Sequence, residues 1–297
     1  MTVPFHLRQQ VTLARHFIAT RALEILALQA SPLLGLVYGG AHPETTGLFR
    51  PASLLAGSLF LTAHIFVFND WCGYHSDPQD PNRSARAFGR GYVSRFQIAY
   101  VATMLLVLAN VALALAGTRS VVLGALIALL SLLYSGSARF GKNRPFAASA
   151  SHLLGGSLHF LLGYTLGQAL DAAGVALSLV FGLVFAGGHL NQEIRDCEGD
   201  RLNGIRTCAV VFGCRRAFAG SVSLFAIAYA VSFALAALGI LPALLLGCPI
   251  LLLVHLAAAR HALRRGLGCE TAVWMQRQYR TLFALLGLAM LFGKAAA

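Results

Sequence analysis

Nine stretches of roughly twenty apolar residues divide this chain of 297 residues, and a run of that length is what a helix needs to cross a lipid bilayer. They fall at 19–39, 51–70, 95–117, 119–135, 146–169, 172–190, 216–238, 240–259 and 278–294. Backbone polar groups in lipid must bond within their own segment, so repeated runs of this kind fold as an all-α bundle. The chain is 57% hydrophobic and 11% charged, with a mean hydropathy of +0.69, whereas a soluble domain carries about 25% charged residues. A soluble class is excluded. The net charge of +12 would point to nucleic acid in a soluble protein, but here the Lys and Arg lie in short gaps between the spans. No nucleic-acid partner is needed.

The gaps differ sharply in charge. Arg83, Arg86, Arg90 and Arg95 follow span two, and Arg139, Lys142 and Arg144 follow span four. Span six is followed by Arg195, Arg201, Arg206, Arg215 and Arg216, and span eight by Arg260, Arg264, Arg265, Arg277 and Arg280. The alternate gaps hold only Arg50 and Arg119. Basic loops stay on the cytoplasmic side, so the expectation is a cytoplasmic N-terminus and an external C-terminus in a bacterial cytoplasmic membrane. The opening MTVPFHLRQQVTLARHF lacks the long apolar core and small-residue cleavage site of a signal peptide. Cys72, Cys197, Cys208, Cys214, Cys248 and Cys269 show no CxxC and no zinc spacing; they read as small buried or interfacial residues.

The acids are as unevenly placed as the bases. Asp70, Asp77 and Asp80 follow span two, while Glu193, Asp196, Glu198 and Asp200 follow span six. Glu193, Asp196 and Asp200 stand at i, i+3 and i+7, which on a helix puts three carboxylates on one face. Like charges so placed repel, and a cation must offset them. The plain alternative is a solvated helix end neutralised by Arg195 and Arg201. A second acidic cluster four spans earlier favours function. Carboxylates from two helices, ringed by Arg and Lys, suit Mg²⁺, which binds one or two carboxylates plus substrate phosphates. The spacing of the clusters suggests two four-helix halves plus a ninth helix around a central cavity, with residues 1–297 forming one transmembrane domain and 60–215 its motif-bearing core. Glu24, inside the first span, is expected to snorkel to the interface.

On these motifs the chain resembles the UbiA superfamily of intramembrane prenyltransferases. That family pairs an NDxxDxxxD motif after helix two with a DxxxD motif after helix six. Here the first reads Asn69-Asp70-Trp71-Cys72-Gly73-Tyr74-His75-Ser76-Asp77, with Gly73 in place of the middle Asp. The second, Asp196-Cys197-Glu198-Gly199-Asp200-Arg201, is intact and runs on into Gly204-Ile205-Arg206-Thr207. Tyr134-Ser135 with Arg139 and Lys142 is similar to the family's YS…R.K loop after helix four.

The resemblance implies an Mg²⁺-dependent enzyme that moves a prenyl group from a polyprenyl diphosphate to a lipophilic, aromatic acceptor, releasing diphosphate. It implies Asp77, Asp196 and Asp200 as metal ligands, with Asp70 as a further one, and Asn69 orienting a ligand or the diphosphate. Arg139 and Lys142 would grip the diphosphate with help from Arg83 or Arg86, and Tyr134 would lie near the reacting carbon. Gly73 removes one carboxylate. On a continuing helix Asn69, Gly73 and Asp77 would form one stripe facing the second motif. His64, His152, His159 and His189 lie on or at the ends of apolar spans and read as hydrogen-bonded packing groups, with a position facing the cavity the lesser alternative for His189. The alternatives are a terpene cyclase of the same superfamily, a non-catalytic homologue and a secondary transporter. A transporter holds its acids near the bilayer centre, and these lie at span ends.

Overall fold

The computed structural model describes residues 21–41, 46–77, 93–137 and 141–295, and these are helical throughout, without strands. Residues 21–28 are helical and continue past a turn at Gln29 into α1 (Ala30–Tyr38). Then come α2 (Phe49–Cys72), α3 (Arg95–Ala116), α4 (Thr118–Gly136), α5 (Ala147–Gly167) and α6 (Ala172–Leu202). The last four are α7 (Cys208–Phe212), α8 (Cys214–Ala237), α9 (Cys248–Arg265) and α10 (Cys269–Ala295). Within the described residues each of the nine expected segments is therefore helical over most of its length. The count of α-helices among the described residues is ten rather than nine, because α7 is a single short helix between spans six and seven.

Six of these segments are long and apolar enough to cross a membrane: α2, α3, α4, α6, α8 and the stretch 243–265 that contains α9. The other three differ from expectation for readable reasons. The turn at Gln29 cuts the first; Ser149, Ser151, His152, Ser157 and His159 dilute α5; and Arg277 and Arg280 do the same in α10. The protein is an integral membrane protein. Met104, Val107, Leu108, Val111 and Leu115 stand exposed along α3, a lipid-facing surface that water would not tolerate at this size.

Buried Phe160 and Tyr164 of α5, Leu177 and Val180 of α6, Phe225 and Tyr229 of α8 and Tyr279 of α10 join in one core. The tightest crossing is between α1 and α5. Gly35 and Gly39 face Gly163 and Gly167, and each pair is spaced by four. A Cβ on Gly163 would collide with the Pro32 carbonyl and sit 2.8 Å from Leu36 N; one on Gly35 would collide with the Phe160 carbonyl. Small residues at i and i+4 let two backbones meet where lipid offers no hydrophobic drive.

Charge also ties the first helix to the rest. Arg21 donates to Asp70 at 2.7 Å, and its other nitrogen lies 3.7 Å from Glu24. Glu24 accepts from Arg280 at 3.1 Å. The oddly placed glutamate is an ion-paired link between the first segment and α10.

At thirty-one residues α6 is about 46 Å long, against a hydrocarbon core of about 30 Å. Its acidic last turns stand at one membrane face. Asp171 starts it by accepting from Gly174 N at 2.7 Å. Gly204 stops it in the left-handed region (φ 67°), with Gly204 N donating to Arg201 O and Ile205 N to Asp200 O. That pair of bonds is a Schellman stop, which calls for glycine at this place.

Candidate functional site

Three loops meet at this face of the bundle, and three hydrogen bonds tie them. Asn69 Nδ2 at the end of α2 donates to Ser135 Oγ at the end of α4, 3.0 Å away. Asn203 Nδ2, capping α6, donates to the Ser76 carbonyl at 3.4 Å. Arg206 N donates to Asn143 Oδ1 at 3.0 Å, joining the loop after α6 to the single 3-10 turn at Gly141–Asn143. The two acidic motifs and the Tyr134–Lys142 region, scattered over more than a hundred residues of sequence, are thereby one unit.

The carboxylates within it are held differently. Asp196 and Asp200 are buried, at 4% and 8% exposure. Arg195 grips Asp196 with two bonds, Nε to Oδ1 at 2.7 Å and Nη2 to Oδ2 at 2.9 Å. Two parallel N–H bonds of this kind are the strong form of the pair. Asp70 is buried and engaged by Arg21. Asp77 lies half-buried in a 3-10 turn, its carboxylate over the α-carbon of Gly73. The expected continuous stripe fails here: α2 stops at Cys72 with Gly73 as its cap, and residues 74–76 turn before Asp77.

Glu193, on the same helix as the two aspartates, is held by a different element. Its Oε2 accepts from Ala209 N at 3.2 Å, at the start of α7, where backbone N–H groups have no helical partner. Thr207 caps the same end by accepting from Val210 N. Burial raises the Cys208 thiol above its usual range, so it stays neutral there. It accepts a 3.3 Å bond from Phe146 N.

Of the cations, Lys142 and Arg95 lie near enough to Cys72 to act on it electrostatically, and Arg95 also covers the Trp71 ring at 4.4 Å. Both stand at the foot of the first motif. Arg83, Arg86, Arg139 and Asp80 lie outside the described residues. Arg21, Asn143 and Asn203 were missed by sequence reasoning. Arg21 carried a signal, an arginine three residues before Glu24 in an otherwise apolar run; the two asparagines carried none.

Tyr134 connects this face to a deeper polar group. Its ring stands edge-on to His152 at 4.9 Å and to His189 at 5.7 Å. The two imidazoles stack, with centroids 3.8 Å apart and planes at 10°. His189 Nε2 lies 3.0 Å from Glu193 Oε1. The two are at ion-pair distance but out of hydrogen-bond alignment, so both atoms, and His189 Nδ1, lack a hydrogen-bond partner among the described residues. By contrast His64 and His159 behave as packing residues, bonded to Ala102 O and Ser58 Oγ at 2.8 Å each.

The structure is thus an all-α membrane bundle in which the acid-bearing ends of two helices are fastened beside a loop from a third that carries Lys142 and Arg144. The chain belongs to the UbiA prenyltransferase family, whose model matches residues 30–292. No curated protein matches the sequence. Among solved structures it is similar to a UbiA homologue from Aeropyrum pernix K1 in its apo form, with TM-score 0.71, 18% identity, and 90% of this chain and 96% of that one covered. It is likewise similar to a UbiA homologue from Archaeoglobus fulgidus bound to DMAPP and Mg²⁺, at TM-score 0.70, 17% identity, and 92% and 97% coverage. A third neighbour is a structure concerned with digeranylgeranylglyceryl phosphate synthase, at TM-score 0.69, 18% identity, and 96% and 99% coverage. At these identities the likeness is one of fold.

Proposed function

We propose that this protein transfers a prenyl group from a polyprenyl diphosphate to a lipophilic acceptor, with Mg²⁺ and release of diphosphate. The observation that carries the reading is the fastening of both acidic motifs and the Lys142 loop into one unit by the bonds from Asn69, Asn203 and Arg206. The fit of the metal is one of donor chemistry. No three Asp, Glu, His or Cys converge on a metal position among the described residues, but Mg²⁺ takes only one or two protein carboxylates and completes its shell with phosphate oxygens and water. The one or two carboxylates that would hold it are drawn from Asp196 and Asp200 of α6 and from Asp77 or Asp70 of the first motif. When bound, it would neutralise charge on the departing diphosphate. Lys142 would meet the same oxygens, Asn69 would orient them, and Tyr134 would border the carbon that loses them. The apolar interior would hold the chain and keep water from the reacting carbon. The structure of a relative with DMAPP and Mg²⁺ supports the ligand class.

Incubation of the purified protein with labelled polyprenyl diphosphates and a membrane lipid extract tests this. The expected result is a labelled, acceptor-bearing product formed only with Mg²⁺. A labelled cyclic hydrocarbon formed without any acceptor would establish cyclisation instead.

Two further outcomes are expected. Reporters fused near Arg86, Arg144, Arg215 and Arg265 should read as cytoplasmic, and one after Ala297 as external; a C-terminal reporter inside would overturn the proposed orientation. The second concerns Gly73. A Cβ there would lie 2.7 Å from Asp77 Cγ, so Gly73→Asp displaces one carboxylate to seat another. The Mg²⁺ concentration for half-maximal rate is therefore expected to stay within about twofold of wild type, since cation affinity follows the number of ligand charges. A tenfold tightening would show that both carboxylates reach the metal.

A further inference from the structure

The stacked imidazoles have no place in the diphosphate chemistry, and their bonding is unusual for buried groups. A carbonyl only accepts, so the 2.9 Å contact of His152 Nδ1 with Ala148 O puts the proton on Nδ1. Such a backbone bond fixes the tautomer, and Nε2 is left as a bare lone pair. Among the described residues that nitrogen makes no hydrogen bond, and the ring is half-buried rather than sealed. Behind it lies His189, 4% exposed, with neither nitrogen hydrogen-bonded, and behind that Glu193, 3% exposed, with Oε1 unpartnered. Buried polar atoms are nearly always satisfied. Here several unsatisfied ones lie together, against the tyrosine that borders the diphosphate region.

We propose that His152 Nε2 is the proton acceptor for the prenyl acceptor's hydroxyl, and that His189 and Glu193 position it and balance its charge. The inference rests on the prenyl-transfer reading. In the step, the acceptor O–H bond breaks and its proton passes to His152 Nε2. The electron pair left on the acceptor, on oxygen or delocalised into a conjugated ring, forms the bond to C1 of the prenyl group. The C1–O bond breaks, and its pair leaves with the diphosphate. The imidazolium so formed faces His189 at 3.8 Å, and the Glu193 carboxyl on the far side offsets its charge. The base is fixed by its Nδ1–H bond to the Ala148 carbonyl, and an acceptor hydroxyl within hydrogen-bond reach of a base so held is the arrangement that activates such nucleophiles. The His152 proton is lost to solvent after product leaves.

The test uses the full-length protein in detergent and 2-naphthol, a phenol whose excited state gives up its proton to a base in contact and then emits as naphtholate. Wild type should show naphtholate emission well above that of micelles alone. His152→Phe keeps a stacking ring and lacks the lone pair; it should lose most of that excess and lower prenyl transfer by about 10²-fold or more, the usual worth of a positioned base. Glu193→Gln should lower both less, by about tenfold. Binding of geranyl diphosphate with Mg²⁺, measured by calorimetry, should be unchanged in each variant, and shows that the fold is intact. If His152→Phe does not fold, His152→Gln takes its place. Equal naphtholate emission from wild type and the His152 variant, or none above micelles in wild type, would overturn the proposal. Failure of geranyl diphosphate to bind wild type while the emission persists would sink the prenyl-transfer reading and leave the proton acceptor standing.

Discussion

Asp200→Asn is expected to lower Mg²⁺-dependent prenyl transfer by at least about 10²-fold, the loss typical when one group that stabilises a leaving charge is removed. Asp200 is 8% exposed and one turn from Asp196, so the two carboxylates lie on one face of α6. Asparagine keeps the shape and one oxygen but removes the negative charge that a hard cation seeks. The backbone bond from Ile205 N to Asp200 O does not depend on the side chain, so the stop of α6 survives the change. Asp196→Asn should cost as much in rate, but it also removes one of the two hydrogen bonds from Arg195 and is the less clean of the two. Initial rates, with thermal unfolding in parallel, decide the matter. Wild-type turnover in Asp200→Asn, or full activity in excess chelator, would remove this site from consideration.

Gly163→Val has the largest expected effect on stability. The branched side chain starts from a Cβ that already collides with the Pro32 carbonyl, and Leu36 N follows at 2.8 Å. Both obstacles are backbone, so no rotamer change relieves them. Overpacking a tight contact costs about 1–3 kcal/mol, and the alternative is for α1 to part from α5. Parting would also disturb Tyr38, whose hydroxyl donates to Met290 O at 3.0 Å, so the loss should reach α10. A control at Gly155, where a Cβ would meet nothing within 4 Å, should be nearly neutral as Gly155→Ala. Thermal unfolding in detergent that found the two variants alike would show that the close crossing contributes nothing.

The bundle was legible because its signal is cheap to carry: twenty apolar residues and a charge at the end specify a helix and its limits without reference to any partner. The same economy made the motifs visible, since a carboxylate beside a membrane is costly wherever it sits. What could not be read was how each charge is answered. Nothing local to Asp70 indicates that Arg21 reaches it from forty-nine residues away. Glu193 shares a face with Asp196 on paper, but the N-terminus of α7 claims it through Ala209 N, sixteen residues downstream and past the turn at Gly204. The His152 and His189 rings belong to different helices, and periodicity along either one is blind to their stacking. The stripe through Gly73 failed for a simpler reason: a helix was extended past a cap whose only sign is a glycine.

The three bonds that fasten the loops have a bearing on how such a protein changes over time. Every side chain in them is neutral: Asn69, Ser135, Asn203 and Asn143. The neighbouring Asp and Lys residues take no part in these bonds. Architecture and reactivity are thus written in separate alphabets at adjacent positions. A lineage can rewrite a charged letter, and the scaffold that presents the remaining ones is left in place.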